Sequence, residues 1–122
     1  MLDLADVANV SAPETNSAVA AALGFIEAHL AEEISASDVA RAACVSHNHL
    51  CRLFHQHVHE TPMEAIRRRR VERARHLLIH TTLPIKEIAV QVGIDDLQKF
   101  NKTVRLETGR SPRELRRTGA VV

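Results

Sequence analysis

"DVARAACVSHNHLCRLF" occupies residues 38–54, and "EIAVQVGIDDLQKFNKTV" occupies residues 87–104. The second stretch repeats the first. Val39-Ala40 matches Ile88-Ala89, and Val45 matches Ile94, at an offset of 49. One extra residue enters the second copy's turn, and the offset becomes 50: Leu50 with Phe100, Arg52 with Lys102, Phe54 with Val104, Pro62 with Pro112, Glu64 with Glu114. A short helix, a tight turn and a longer helix therefore occur twice. A generic helical bundle would not match caps, apolar positions and basic positions together, so each copy reads as a helix-turn-helix unit.

Working outward, the same logic sets the other elements. Val19, Leu23, Ile26 and Leu30 make one apolar stripe and predict a helix over 17–31. Ser35 with Asp38 caps a helix over 37–44, and Ser46 caps one over 47–58. Thr61-Pro62-Met63-Glu64 supplies an N-cap, a proline at the first helical position and a glutamate at the third, opening a helix to about residue 79. Pro84 opens a helix that ends near Gly93, Asp95 with Gln98 caps one over 96–108, and Ser111-Pro112-Arg113-Glu114 repeats the Thr61 pattern. No Trp, no Tyr and no alternating β-branched run is present, so the expected fold is all-α, with about seven helices in two units joined by a long linker helix. The expected organisation is a tail or interdomain linker over 1–16, a first subdomain with the linker helix over 17–80, and a second subdomain with a C-terminal tail over 81–122.

Two cysteines, Cys44 and Cys51, are too few for a disulfide scaffold. No signal segment opens the chain and no apolar run approaches a membrane span, so a soluble, cytoplasmic protein is expected. Net charge is +1, but residues 1–60 carry two arginines against eight acids, and residues 61–122 carry fourteen Lys and Arg against seven acids. The basic half is a possible phosphate-binding surface.

On a helical wheel for 47–58, Leu50, Leu53, Phe54, His57 and Val58 share the inward face. Asn48, Arg52, His55 and His59 fall opposite, flanked by Gln56 and His49 on one side and Cys51 on the other. In 96–108, Phe100, Thr103, Val104 and Thr108 point inward, while Gln98, Lys102 and Arg105 point outward beside Asn101 and Lys99. Such faces suit base edges: Arg and Lys pair with guanine, Asn and Gln with adenine. Two such helices about 34 Å apart reach successive major grooves. Arg67, near the start of the linker helix, is placed to meet backbone phosphate; the deeper arginines have Glu64 and Glu72 within helical reach.

Five of the eight histidines crowd residues 45–60, which raises a metal site as an alternative. Cys51, His55 and His59 stand one helical turn apart, yet nearly all candidates lie on one helix and no CxxC or HExxH occurs. No metal and no cofactor is expected. No nucleophile-base set or Gly-rich phosphate loop appears, so no enzyme is expected either. The competing class is a helical interaction module that docks a sensor domain or RNA polymerase. The histidines also suggest that pH tunes the first unit, because imidazole gains charge near pH 6.5.

Residues 17–117 resemble the DNA-binding domain of the AraC/XylS family of bacterial transcription regulators, through residues 38–54, "TPMEAIRRRRVERARHLL", "LPIKEIAVQVGI" and "FNKTVRLETGRSPRELRR". "TPMEAIRRRRVERA" is most similar to the xylose-operon regulator branch, where the domain follows a sugar-sensing domain. The resemblance implies binding to double-stranded promoter DNA. It implies base reading by His47, Asn48, Cys51, Arg52, Leu97, Gln98, Asn101 and Lys102, and phosphate contacts at Ser46, Gln56, Arg67, Arg105 and Ser111. The chain departs from the family at His59, where glycine is usual, at Ile94 and Val104, where phenylalanine is usual, and at Leu97, which replaces a polar reader.

Overall fold

The structure is a computed structural model that describes residues 11–121, with side chains over 17–119. Among the described residues the elements are all helices: α1 (Ser11–Ala28), α2 (Ala36–Ala42), α3 (His47–His57), α4 (Pro62–His80), α5 (Ile85–Gln91), α6 (Leu97–Thr108) and α7 (Pro112–Val121). Residues 1–10 of the expected tail lie outside the described residues, whereas 11–16 already belong to α1.

Local chemistry sets the helix starts. Ser35 accepts the Asp38 N–H, and the Asp38 carboxylate accepts the Ser35 N–H at 2.9 Å, a closed capping box for α2. Ser46 Oγ accepts the His49 N–H at 3.1 Å and starts α3. Asp96, not Asp95, caps α6: its carboxylate accepts the Gln98 and Lys99 amides at 2.9 and 3.1 Å. An anion there also offsets the positive end of the helix dipole.

The chain forms two compact units. The first gathers α1, α2 and α3. Its buried residues include Val19, Ala22, Ile26, Val39, Ala40, Leu50, Leu53 and Phe54. Ala22 is fully buried where the sequence stripe put Leu23, which is half-buried: both positions border the inward face, and the closer approach falls on the smaller side chain. The second unit holds the turn over 29–33 and α4 from Glu64 through α7. The long helix thus groups with the second half of the chain, where the sequence reading had joined it to the first. Its core packs Val71, Ala74 and Leu78 of α4 with Ile88, Ala89, Val92, Ile94, Phe100, Val104 and Leu115.

The repeat is visible in the backbone. After α2, the Cys44 N–H donates to Arg41 O at 3.1 Å and the Val45 N–H to Ala40 O at 3.0 Å; after α5, Gly93 donates to Val90 O at 3.1 Å and Ile94 to Ala89 O at 2.9 Å. Cys44 and Gly93 are both left-handed, with φ of 59° and 84°. The longer helices end the same way, at His59 (φ 64°) and Gly109 (φ 78°). Side chains meet steric conflict in this region, which is why glycine is the usual occupant. The first copy places cysteine and histidine there, so its turns carry strain that the second copy avoids.

One arginine fastens the 29–33 turn. Arg70 donates from Nε to Leu30 O at 3.1 Å and from Nη2 to Glu32 O at 2.7 Å. Partial burial lowers its pKa from the ordinary guanidinium value without removing its charge. Arg116 does the same at the end of α4, donating to Leu78 O and Thr81 O at 3.1 and 3.2 Å. Arg70 thus satisfies carbonyls of the turn itself, and Arg116 one in the last turn of α4, where a helix end leaves carbonyls without intrahelical partners.

Candidate nucleic-acid interface

On α3, Leu50, Leu53 and Phe54 are buried and Val58 is half-buried. His47, Asn48, Arg52, His55, Gln56 and His59 are exposed, and His49 and Cys51 are half-buried. His57 is exposed, contrary to the packing role its wheel angle implied. Periodicity gives a direction but not a depth, and His57 is the last residue of the helix, one turn beyond the Leu53 and Phe54 layer. Arg52 Nη2 lies 3.5 Å from His49 Nδ1, along the helix surface. Arg52 is the only Lys or Arg of α3.

On α6 the inward residues are Phe100 and Val104, fully buried, with Thr103 and Thr108 half-buried. Gln98, Lys99, Asn101, Lys102 and Arg105 are exposed, and Leu97 is 42% exposed. A cleft of about 370 Å³ brings Leu97 and Asn101 together with Arg105, Ser111 and Arg113. Residues expected to read bases and residues expected to hold phosphate thus share one concavity. Arg113 is an addition; its signal in the sequence was its place directly after Pro112, in the first turn of α7.

The expected phosphate contacts differ in what else they do. Gln56 and Arg105 are exposed. Ser46 Oγ is occupied as a helix cap. Ser111 Oγ accepts the Glu114 N–H at 3.1 Å, and the Ser111 N–H donates to Glu114 Oε1 at 2.9 Å. That backbone bond, with the serine hydroxyl, holds the Glu114 carboxyl below the usual range. Arg67 is ion-paired: its Nε lies 2.7 Å from Glu107 Oε2, with the two side chains 40% and 21% exposed. The sequence reading missed this pair because forty residues separate its partners. Arg68 does pair within its helix, with Glu72 at 2.6 Å. The run of four arginines therefore serves several tasks and is not a single phosphate-facing stripe.

Among the described residues, no group of three or more His, Cys, Asp or Glu is arranged to hold a metal ion, and no helix is long and apolar enough to cross a membrane. The arrangement offers hydrogen-bonding and cationic groups on two equivalent helices, which suits binding of a polyanion with readable edges.

Comparison with known proteins agrees. A family model described as a helix-turn-helix domain matches residues 39–118. The HTH-type transcriptional activator RhaS of Enterobacter sp. (strain 638) is 38% identical over 94 residues, covering 77% of this chain and 34% of that protein. The crystal structure of a transcriptional regulator of AraC-type DNA-binding-domain proteins from Chromobacterium violaceum superposes with a TM-score of 0.78 at 33% identity, covering 90% of this chain and 95% of that one. The xylose-binding transcription activator XylR superposes with a TM-score of 0.75 at 34% identity, covering 83% of this chain and 27% of that one. The chain spans about a third of the length of the curated relatives it matches. It belongs to the AraC/XylS family of helix-turn-helix DNA-binding domains.

Proposed function

We propose that this AraC-type domain binds promoter DNA by inserting α3 and α6 into successive major grooves, and that it serves a cytoplasmic transcription regulator. The observation that carries the reading is the duplicated unit, whose turn hydrogen bonds and left-handed residues recur and whose second helices present polar outer faces. In this reading His47, Asn48, Cys51 and Arg52 face the bases from α3, and Leu97, Gln98, Asn101 and Lys102 from α6. Gln56, Arg105 and Arg113 supply phosphate contacts, with Ser46 and Ser111 donating from groups left over after capping. Arg67 acts through Glu107, keeping its guanidinium fixed beside the C-terminal end of α6. The similarity to a xylose-binding activator supports a sugar-responsive regulon and a sensor domain elsewhere in the parent chain. RNA polymerase is a further partner in this reading.

The experiment is selection from randomised duplexes, followed by footprinting and salt titration. Two protected stretches about one helical turn apart are expected. Arg52→Ala is expected to weaken the selected site by about 1–3 kcal/mol while leaving random DNA unchanged. Arg113→Ala is expected to weaken both alike and to reduce the salt slope by about 1. A flat salt response with no DNA retained would instead favour the interaction-module reading, for which Leu106, 69% exposed on α6, is one available apolar contact beside Met63 and Val90.

A further inference from the structure

Besides the cleft beside Leu97 and Asn101, the second unit contains a groove of about 690 Å³, walled by the end of α4, the end of α6 and α7. That volume lies in the range of small-molecule sites, roughly 300–1,000 Å³. Its apolar lining is Ile79, Leu115 and the bare backbone of Gly119. An added Cβ at Gly119 would stand 2.6 Å from Ile79 Cγ1. Arg75, Arg110 and His80 line it as well, the two arginines supplying positive charge. Arg110 is held by its own geometry: its Nη1 donates to Thr118 Oγ1 at 3.3 Å, and its backbone N–H to Thr108 Oγ1 at 3.1 Å. The His80 ring rests against His76, with centroids 4.6 Å apart. The one carboxylate in the wall, Glu107, is already neutralised by Arg67 at 2.7 Å. A groove of this size lined by both apolar side chains and two guanidiniums suits one kind of occupant.

We propose that this groove is a binding site for a small amphipathic organic anion, a monocarboxylate with an aromatic or short aliphatic body. The carboxylate pairs with Arg75 and Arg110 in the fork geometry guanidinium favours. The body covers Ile79 and Leu115. Because Glu107 and Thr108 end α6 and also wall the groove, occupancy bears on the helix that carries Gln98, Asn101 and Lys102. The site therefore couples a small-molecule signal to DNA binding within the domain itself. The coupling rests on the DNA-binding reading; the ligand site does not.

The test is titration of the 122-residue chain with benzoate, and with benzyl alcohol as the uncharged control, in 0.15 M salt, followed by amide NMR shifts. Saturable shifts confined to residues around Ile79, Arg110, Leu115 and Gly119, with Kd below about 1 mM and at least tenfold weaker for benzyl alcohol, are expected. Arg75→Gln with Arg110→Gln is expected to abolish them while leaving the far-UV CD spectrum unchanged. Thr118→Trp, which fills the groove from its exposed wall, is expected to do the same if the double variant unfolds. Non-saturating shifts, shifts spread over all arginines, or equal binding of the alcohol would overturn the site. DNA affinity measured with and without saturating benzoate then tests the coupling separately: binding without any change in DNA affinity keeps the site and refutes the coupling.

Discussion

Gly93 and Gly109 both adopt left-handed backbone, one after each helix of the second helix-turn-helix, yet their surroundings differ, and alanine at each separates backbone strain from steric crowding. Gly109 has φ of 78° and nothing within 4 Å of where a Cβ would stand. Alanine there bears only the left-handed penalty, about 1–2 kcal/mol, partly offset by roughly 0.4–1 kcal/mol of lower unfolded-state entropy. The expected net loss is about 1 kcal/mol. Gly93 has φ of 84°, but a Cβ would lie 2.2 Å from Leu30 O and 3.1 Å from Arg70 Nε. The Leu30 carbonyl must swing away, and with it goes the 3.1 Å bond from Arg70. A hydrogen bond from a charged donor adds about 1.5–3 kcal/mol, so Gly93→Ala is expected to lose roughly 3–4 kcal/mol. Urea unfolding followed by CD at 222 nm measures both. Near 60 °C the difference corresponds to a Tm gap on the order of 10 °C. Equal destabilisation by the two variants would refute the crowding argument, and a neutral Gly109→Ala would refute the strain argument.

Two further outcomes follow from the same geometry. Cys44→Gly and His59→Gly each relieve a left-handed side chain at an exposed position, so each is expected to stabilise the first unit by about 0.5–1 kcal/mol in urea melts; destabilisation would show that these side chains make contacts that matter more than their strain. The Asp38 carboxyl is held below its usual pKa by the Ser35 backbone N–H first and the Ser35 hydroxyl second. A depressed folded pKa contributes stability above the unfolded pKa that is lost as pH falls through the usual carboxylate range and below, so the acid limb of stability is expected to flatten in Asp38→Asn, and an unchanged limb would discount the capping box.

Most of the architecture was legible because the determinants are local. Ser35, Ser46 and Ser111 announce helix starts by side-chain bonds to amides three residues on, and each is readable at that spacing. Internal repetition then supplies what single-copy periodicity cannot: a second copy of the short helix, turn and longer helix, with matching apolar and basic positions. The failures share a different cause. Asp95 and Asp96 are chemically alike, and only the backbone decides which of them reaches the Gln98 amide. His57 has the angle of a core residue but stands at a helix end, where direction no longer implies burial.

The candidate interface divides along the same line. Exposure of Asn48, Arg52, Gln98, Asn101 and Lys102 follows from the wheel, because the opposite face of each helix is apolar. The fate of the arginines does not follow from any local pattern. Arg67, Arg70 and Arg116 find partners 40, 38 to 40 and 35 to 38 residues away, so a basic run read as a phosphate surface is partly a set of structural clamps. With those clamps set aside, the exposed cations of α6 are Lys99, Lys102 and Arg105, with Arg113 lining the same cleft as Arg105, while α3 carries Arg52 alone among its Lys and Arg positions. In the proposed DNA-binding reading, salt sensitivity is therefore expected to be set mainly by the second unit. Salt titrations of Arg113→Ala and Lys102→Ala against Arg52→Ala measure this: a larger loss of slope from the second-unit pair is expected, and a larger loss from Arg52→Ala would refute that division.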